Sequence, residues 1–177
     1  MDMYCVDDAS LWINLEIFFL KKADTFITQT LIKVMNHFAK QQEGSGDFYE
    51  YFEHCFMSDN FEKLSLSDYI TLGYNFYLVH AGSSDFFKIY YIKLIDRMDE
   101  KISTFDLLRV MQMFAELAQH FPNIFSKTEF LLLKRFEQLT LDQITCAACA
   151  FAISGYGSDR IFRMFETMVM KNFTNLD

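Results

Sequence analysis

Apolar residues recur three and four positions apart along most of the chain, and this helical pattern is itself repeated. Four ungapped copies of a segment of 37–38 residues begin at Phe26, Leu64, Ile102 and Leu139. One column of phenylalanines runs through them, made up of Phe38, Phe76, Phe114 and Phe151. A second aromatic column consists of Tyr49, Phe87, Phe125 and Phe162. A period of this length is typical of helix-pair repeats, in which each unit buries its apolar face against its neighbours.

Each copy is predicted to form a first helix (helix A), a short turn and a second helix (helix B). The start of helix A carries capping-box spacing, a hydroxyl residue followed three positions later by a polar acceptor. The pairs are Ser65 with Asp68, Ser103 with Asp106, and Thr140 with Gln143. The first copy has Ile27 at this position and lacks the signal.

The turn between the two helices is Gly-Ser in three copies, at Gly44-Ser45, Gly82-Ser83 and Gly157-Ser158. Glycine accepts the left-handed conformation that ends a helix, and serine can cap the next one. The third copy has His120-Phe121-Pro122 instead. Proline is tolerated in the first helical turn, so helix B of that copy is predicted to start near Pro122.

The N-terminal segment fits the second half of a repeat. At the same offset, Leu11 aligns with Tyr49 and Phe18 with Phe56, so residues 10–22 are predicted to form a lone helix B. The predicted fold is an all-α, right-handed α-solenoid of about four and a half helix-hairpin repeats, with about nine helices in one domain. Its parts are a half-repeat at 1–25 and repeats at 26–63, 64–101, 102–138 and 139–177.

Charge narrows the classes of partner. The formal net charge is −8, and the segment before Phe26 and the four copies carry −3, −3, −1, 0 and −1. No copy is basic, which disfavours binding to nucleic acid or to anionic membrane surfaces. No apolar run approaches the roughly 18 residues of a membrane-spanning helix. The first eight residues hold three acids and no base, so no cleavable targeting sequence is expected there.

Catalytic motifs are absent from the sequence. Phosphate-binding glycine loops, zinc-protease and serine-hydrolase signatures do not occur. Cys146 and Cys149 form a lone CxxC inside a predicted helix, and one such pair falls short of the four ligands of structural zinc. The four histidines are dispersed along the chain and interpreted as surface or turn residues. The sequence therefore predicts no enzyme, no cofactor and no metal, and its four cysteines favour a reducing compartment.

Two columns on helix A lie outside the apolar stripe. One reads Lys33, Thr71, Arg109 and Cys146, and the next reads Asn36, Tyr74, Gln112 and Cys149. In the last copy this helix has no charge between Gln143 and Ser158. A helix so apolar on all sides is expected to be covered by something. The predicted partner-binding residues are Cys146, Cys149, Ile153, Arg109 and Gln112.

The repeat pattern also resembles a known family. Leu-Ser-x-x-Asp, then Phe-Ala, then Gly-Ser is similar to the degenerate heptatricopeptide and octotricopeptide repeats, which also precede RAP domains in organellar proteins. Residues 149–152 (Cys-Ala-Phe-Ala) and 112–115 (Gln-Met-Phe-Ala) are the best local matches. The resemblance covers residues 26–177, and it implies work in a mitochondrion or plastid, either in binding RNA or in building large complexes.

Three functions are open at this point. The first is a non-catalytic scaffold or accessory subunit whose partners are other protein subunits of a large assembly. The resemblance implies a mitochondrial one, such as a respiratory complex, ATP synthase or ribosome, and a cytoplasmic location is the alternative. The second is an RNA-binding protein of organellar gene expression, against which the acidic balance argues. An enzyme is the third and weakest.

Overall fold

The computed structural model describes residues 9–58 and 63–173, and all regular secondary structure within them is helical. The prediction of an all-α fold is confirmed. The described α-helices are α1 (Ala9–Lys22), α2 (Thr28–Gln41), α3 (Gly46–Met57), α4 (Leu66–Leu78), α5 (Ser84–Arg97), α6 (Thr104–Phe114), α7 (Pro122–Leu133), α8 (Leu141–Ser154) and α9 (Asp159–Phe173). Short 3-10 helices occupy Ala23–Thr25 and Phe136–Gln138.

The helices with a predicted cap, α4, α6 and α8, begin where the sequence predicts. Ser65 and Ser103 accept hydrogen bonds from the amides of Asp68 (3.1 Å) and Asp106 (3.0 Å). Both carboxylates turn back to the serine hydroxyl instead of to the backbone. The longer Gln143 side chain does reach the amide of Thr140, so a full capping box forms at α8. The length of the third residue's side chain thus decides which form of cap is made.

The chain divides into two compact units, residues 1–90 and 91–177, with the division inside α5. In the first unit, α2 packs along α4, and α1 packs on α3. In the second unit, α6 packs on α7 and α8, and α8 packs on α9. Helix pairs therefore coincide with the sequence repeats, while the single domain and the solenoid arrangement stay predictions.

Phenylalanines of the first column form the core of each helix pair. Phe38 packs on Phe48 with ring centroids 4.4 Å apart, and Phe76 packs on Phe86 at 4.3 Å. All four rings are buried. Burial of such rings supplies much of the free energy that holds a helix A to its helix B.

The N-terminal helix forms as predicted, but its alignment with helix B is shifted by one residue. Phe18, which the sequence alignment places in the core, is 58% exposed, whereas Phe19 is 3% exposed. Phe19 stacks on Phe52 with ring centroids 5.7 Å apart. The correct offset from α1 to α3 is therefore 37 residues, which matches Phe19 to Phe56 and Trp12 to Tyr49.

Gly73 shows why a small residue is needed on helix A of the second copy. A β-carbon at this position would overlap the ring of Tyr90, which fills the space. Tyr90 stacks on Tyr69 with centroids 4.7 Å apart, and each hydroxyl donates to the other residue's carbonyl, at 3.1 and 3.3 Å. The small position thus admits a buried tyrosine of helix B.

The Gly-Ser turns depend on a left-handed backbone. Gly44, Gly82 and Gly157 have φ angles of 101°, 94° and 115°. They lie two residues beyond the left-handed residue that ends or follows helix A, namely Gln42, His80 and Gly155. The sequence prediction assigned the helix-ending role to the glycine of the Gly-Ser pair, whereas this glycine instead turns the chain into helix B.

Candidate functional site

A glutamate on one helix B holds the start of the next helix B in three places. The amides of Ser45 and Ser83 donate to the carboxylates of Glu16 and Glu53, both at 2.9 Å, and each serine hydroxyl donates to the second carboxylate oxygen. Ser158 makes the same two contacts with Glu129, its amide at 3.1 Å. We call this arrangement the serine–glutamate clamp.

Each clamp serine also caps its own helix. The hydroxyl of Ser83 accepts from the amide of Phe86 at 3.0 Å, and Ser45 and Ser158 do the same for Phe48 and Ile161, both at 3.3 Å. The hydroxyl is thus used as both donor and acceptor. A serine bound in this way is a structural element and not a free nucleophile.

The remaining helix B start uses apolar contact instead. Phe121 stands at the serine position and Tyr91 at the glutamate position, with ring centroids 4.8 Å apart. The Phe121 amide donates to the carbonyl of Ala118 at 3.1 Å. Because this amide already has an acceptor, a carboxylate is not needed there.

The clamp glutamates are not among the residues predicted from the sequence. Glu16, Glu53 and Glu129 recur near the repeat spacing, and Glu166 continues the series. The signal was hidden because Tyr91 interrupts it and because the alignment of the N-terminal helix was one residue out.

The predicted partner-binding residues lie on the described surface of α6 and α8. The Gln112 side-chain amide donates to the Cys146 sulfur at 2.9 Å, which joins the two helices. The Arg109 guanidinium lies 4.1 Å from the centre of the exposed Phe105 ring. Cation–π contact of this kind orients the guanidinium on the surface.

Helix α8 exposes an uncharged face. Its inward face is buried at Ile144, Ala147, Ala150 and Phe151. Leu141 and the charged Asp142 are exposed in the first turn, and the outward residues after them, which we call the α8 strip, are Thr145, Cys149, Ala152 and Ile153, of which Ile153 is 62% exposed. Spacings of three and four place them on one side of the helix. Cys146 is half-buried under Gln112 and contributes less surface than the sequence predicts.

The Cys55 and Cys146 thiols are not arranged for nucleophilic chemistry. Burial raises the pKa of the Cys146 thiol, and the neighbouring Cys149 raises it further. Burial also raises the pKa of the Cys55 thiol, although a hydrogen bond from Tyr51 opposes this. A raised pKa leaves less thiolate at neutral pH, which is the reverse of what an activated cysteine requires.

Other potential chemistry in the described residues is sparse. His37, His54, His80 and His120 are all exposed, in agreement with their interpretation as surface residues. Within residues 9–58 and 63–173, no group of three histidine, cysteine or carboxylate side chains is placed to hold a metal ion. A cavity of about 360 Å³ in the first unit is lined by the turns at residues 42–46 and 78–81 and by Tyr49. The Tyr49 hydroxyl donates to the Glu43 carbonyl at 2.7 Å, so this hydroxyl stabilises the turn at residues 42–46.

Comparison with known proteins gives no relative: no protein-family model, curated protein or solved structure matches the chain. Among the described helices, none combines the length and the apolar character needed to cross a membrane.

Proposed function

We propose that this protein is a non-catalytic helical-repeat scaffold or accessory subunit of a large assembly, acting through protein–protein contacts. The observation that carries the proposal is the α8 strip. It is a continuous uncharged face on a helix whose opposite side is already packed in the core. Exposed apolar faces of this kind mark surfaces that another protein covers.

The repeated helix pairs support a role in assembly. Helix α2 packs on α4 and α6 packs on α8, which leaves exposed residues along one side of α2 and of α8 for a partner. Right-handed solenoids made of such pairs present extended binding surfaces. We propose that solenoid arrangement for this chain on the strength of the recurring clamp and aromatic contacts.

The charge distribution favours a protein partner over RNA. The chain is acidic, and none of its four copies is net basic. RNA binding draws much of its affinity from the neutralisation of phosphates by lysine and arginine. The resemblance to organellar helical repeats supports a mitochondrial assembly such as a respiratory complex, ATP synthase or ribosome.

The test compares two exposed isoleucines that differ in location. Ile153 lies on the α8 strip and is 62% exposed, while Ile27 lies before α2 and is 68% exposed. Tagged full-length protein with Ile153→Asp or Ile27→Asp would be purified from its native source, and the co-purifying proteins would be quantified beside a thermal melt of each variant.

We expect the assembly to be lost with Ile153→Asp and kept with Ile27→Asp, with both proteins melting close to wild type. A charge introduced into a covered apolar surface is costly, whereas an exposed charge is not. If wild-type protein purifies alone, the proposed function is wrong. Equal partner sets in both variants would place the contact surface away from α8.

A further inference from the structure

Four B helices carry an aromatic residue followed four positions later by a glutamate, which we call the aromatic–glutamate pair. The pairs are Trp12 and Glu16 on α1, Tyr49 and Glu53 on α3, Phe125 and Glu129 on α7, and Phe162 and Glu166 on α9. Residues four apart lie on the same side of a helix. Each pair therefore forms one small surface with an apolar half and an anionic half.

In three of these helices the pair binds the next helix pair of the chain. The aromatic residue meets a first-column phenylalanine at the end of the next helix A, and the glutamate forms the serine–glutamate clamp. Tyr49 contacts Phe76 with centroids 6.3 Å apart, and Phe125 contacts Phe151 at 5.9 Å. Trp12 contacts Phe38 in the same way, at 5.0 Å.

The pair on α9 has the same residues and lacks that neighbour among the described residues. Phe162 is 39% exposed, whereas its equivalent Phe125 is 1% exposed. Glu166 is exposed, whereas Glu129 is half-buried in its clamp. In the described part of the chain, no group forms a hydrogen bond or an ion pair with the Glu166 carboxylate.

We propose that the Phe162–Glu166 face of α9 docks an α-helical hairpin of another protein. That hairpin would carry an aromatic residue near the end of its first helix and a Gly-Ser turn at the start of its second. The aromatic residue would pack on Phe162, and the serine amide and hydroxyl would donate to the Glu166 carboxylate. This inference rests on the proposed function, because it assumes that the chain works by protein–protein contact.

The partner is another protein and not a second copy of this chain. The Gly-Ser turns of this chain at Ser45, Ser83 and Ser158 are already bound by Glu16, Glu53 and Glu129. A second copy would have to break one of these clamps in order to offer a serine to Glu166. A hairpin whose serine is free makes the contact without that cost.

The chain itself supplies a probe of the required chemistry. A labelled synthetic peptide of residues 139–173 contains Phe151 and the Gly157-Ser158 turn but not Glu129, so its serine is free. Binding of this peptide to the full chain would be measured by fluorescence anisotropy. The variants of the full chain are Glu166→Gln and Phe162→Ala, and the matched control is Glu50→Gln, which changes an exposed glutamate of α3.

We expect the peptide to bind wild type and the Glu50→Gln control with equal affinity. Its affinity for Glu166→Gln and for Phe162→Ala should be lower by a factor of about ten or more. A charge-assisted hydrogen bond and an aromatic contact each have an effect of this order. A peptide with Ser158→Ala should also bind wild type more weakly, and should lose little more when Glu166→Gln is present. That non-additivity identifies the serine–carboxylate contact.

A second experiment, with the hairpin tethered to the full chain, tests the proposal even if the free peptide does not fold. The same hairpin would be joined to the end of the full chain by a flexible Gly-Ser linker, and the melting temperature would be measured. Stacking of an added helix pair should raise it, and Glu166→Gln should reduce the gain. The proposal is overturned if the tethered hairpin is helical by circular dichroism yet gives no gain, or if Glu166→Gln and Phe162→Ala leave binding unchanged.

The proposed function fails by a different result. Protein purified from its native source without any partner would contradict that function, whatever the peptide does. Partners that are retained in full by Glu166→Gln and Phe162→Ala would leave the function standing and overturn the assignment of the α9 face.

Discussion

Tyr91 and Phe121 pack with ring centroids 4.8 Å apart, at the two positions where three other helix pairs place a glutamate and a serine. Both residues of the clamp are replaced here, the glutamate by Tyr91 and the serine by Phe121. A carboxylate facing Phe121 would lack a donor, because the Phe121 amide is bonded to Ala118. One structural role, the fixing of a helix start to the preceding helix B, is thus met by two kinds of chemistry.

The contributions of Glu53 and Ser83 to stability should be coupled, because the two side chains form one clamp. Glu53→Gln and Ser83→Ala should each lower the free energy of unfolding by about 1 kcal/mol, through loss of a charge-assisted contact and of a helix cap. The double variant should lose less than the sum of the two. Urea denaturation of the four proteins measures this, with Glu50→Gln as a neutral control. Additive losses would mean that the clamp contributes no coupling.

Phe19 and Phe18 form an adjacent matched pair for testing the position of α1. Phe19→Ala should cost about 3–5 kcal/mol, as should Phe76→Ala and Phe114→Ala, because each removes a buried ring. Phe18→Ala should cost about 0.5 kcal/mol or less, since that ring is exposed. Thermal and urea melts provide the comparison. A larger loss for Phe18→Ala than for Phe19→Ala would restore the alignment predicted from sequence.

Gly73→Ala should destabilise the first unit by about 2 kcal/mol or more, because a methyl group would overlap the Tyr90 ring. Gly46→Ala is the matched control, since a β-carbon there meets no atom within 4 Å. Alanine also favours the helix over glycine, so the control should be neutral or slightly stabilising. Near-ultraviolet circular dichroism, which reports tyrosine packing, would accompany the melts. Equal behaviour of the two variants would argue against the Tyr69–Tyr90 stack.

The cysteines should differ in their rates of alkylation. In a Cys5→Ser background, the exposed Cys149 should react first with a maleimide at pH 7.5, and Cys55 and Cys146 about tenfold more slowly. Burial raises the pKa of the two slower thiols, so less of each is thiolate at this pH, and raising the pH should speed their labelling. Mass spectrometry of the labelled peptides identifies the order. Faster reaction at Cys146 would contradict its place beneath Gln112.

Single-stranded RNA should not bind tightly. The chain has a net charge of −8, and the favourable term from phosphate neutralisation is therefore missing. A filter-binding assay with a mixed-sequence RNA of about 20 nucleotides, at about 0.15 M salt, tests the alternative function. Binding below micromolar concentration that weakens as salt is added would favour the RNA-binding protein over the scaffold.

Sequence alone determined the order of the described α-helices and the starts of α4, α6, α7 and α8. Helical periodicity, serine or threonine caps and the Pro122 start depend on residues within one turn of each other, so they can be recognised locally. The uncharged face of α8 was predicted in the same way. The predicted partner-binding residue Cys146 lies outside this face and is half-buried, because Gln112 reaches it from a different helix.

Only the tertiary structure decided which side of each helix meets a neighbour. The one-residue shift of α1, the Tyr90 ring against Gly73 and the Glu16–Ser45 clamp all join residues that lie far apart in the chain. Where apolar residues are as dense as Ile17, Phe18 and Phe19, two alignments that differ by one residue fit the helical spacing of apolar residues almost equally well. Packing against side chains of another helix selects one of the two alignments. The aromatic–glutamate pair and its exposed copy on α9 can therefore be recognised only in the folded chain.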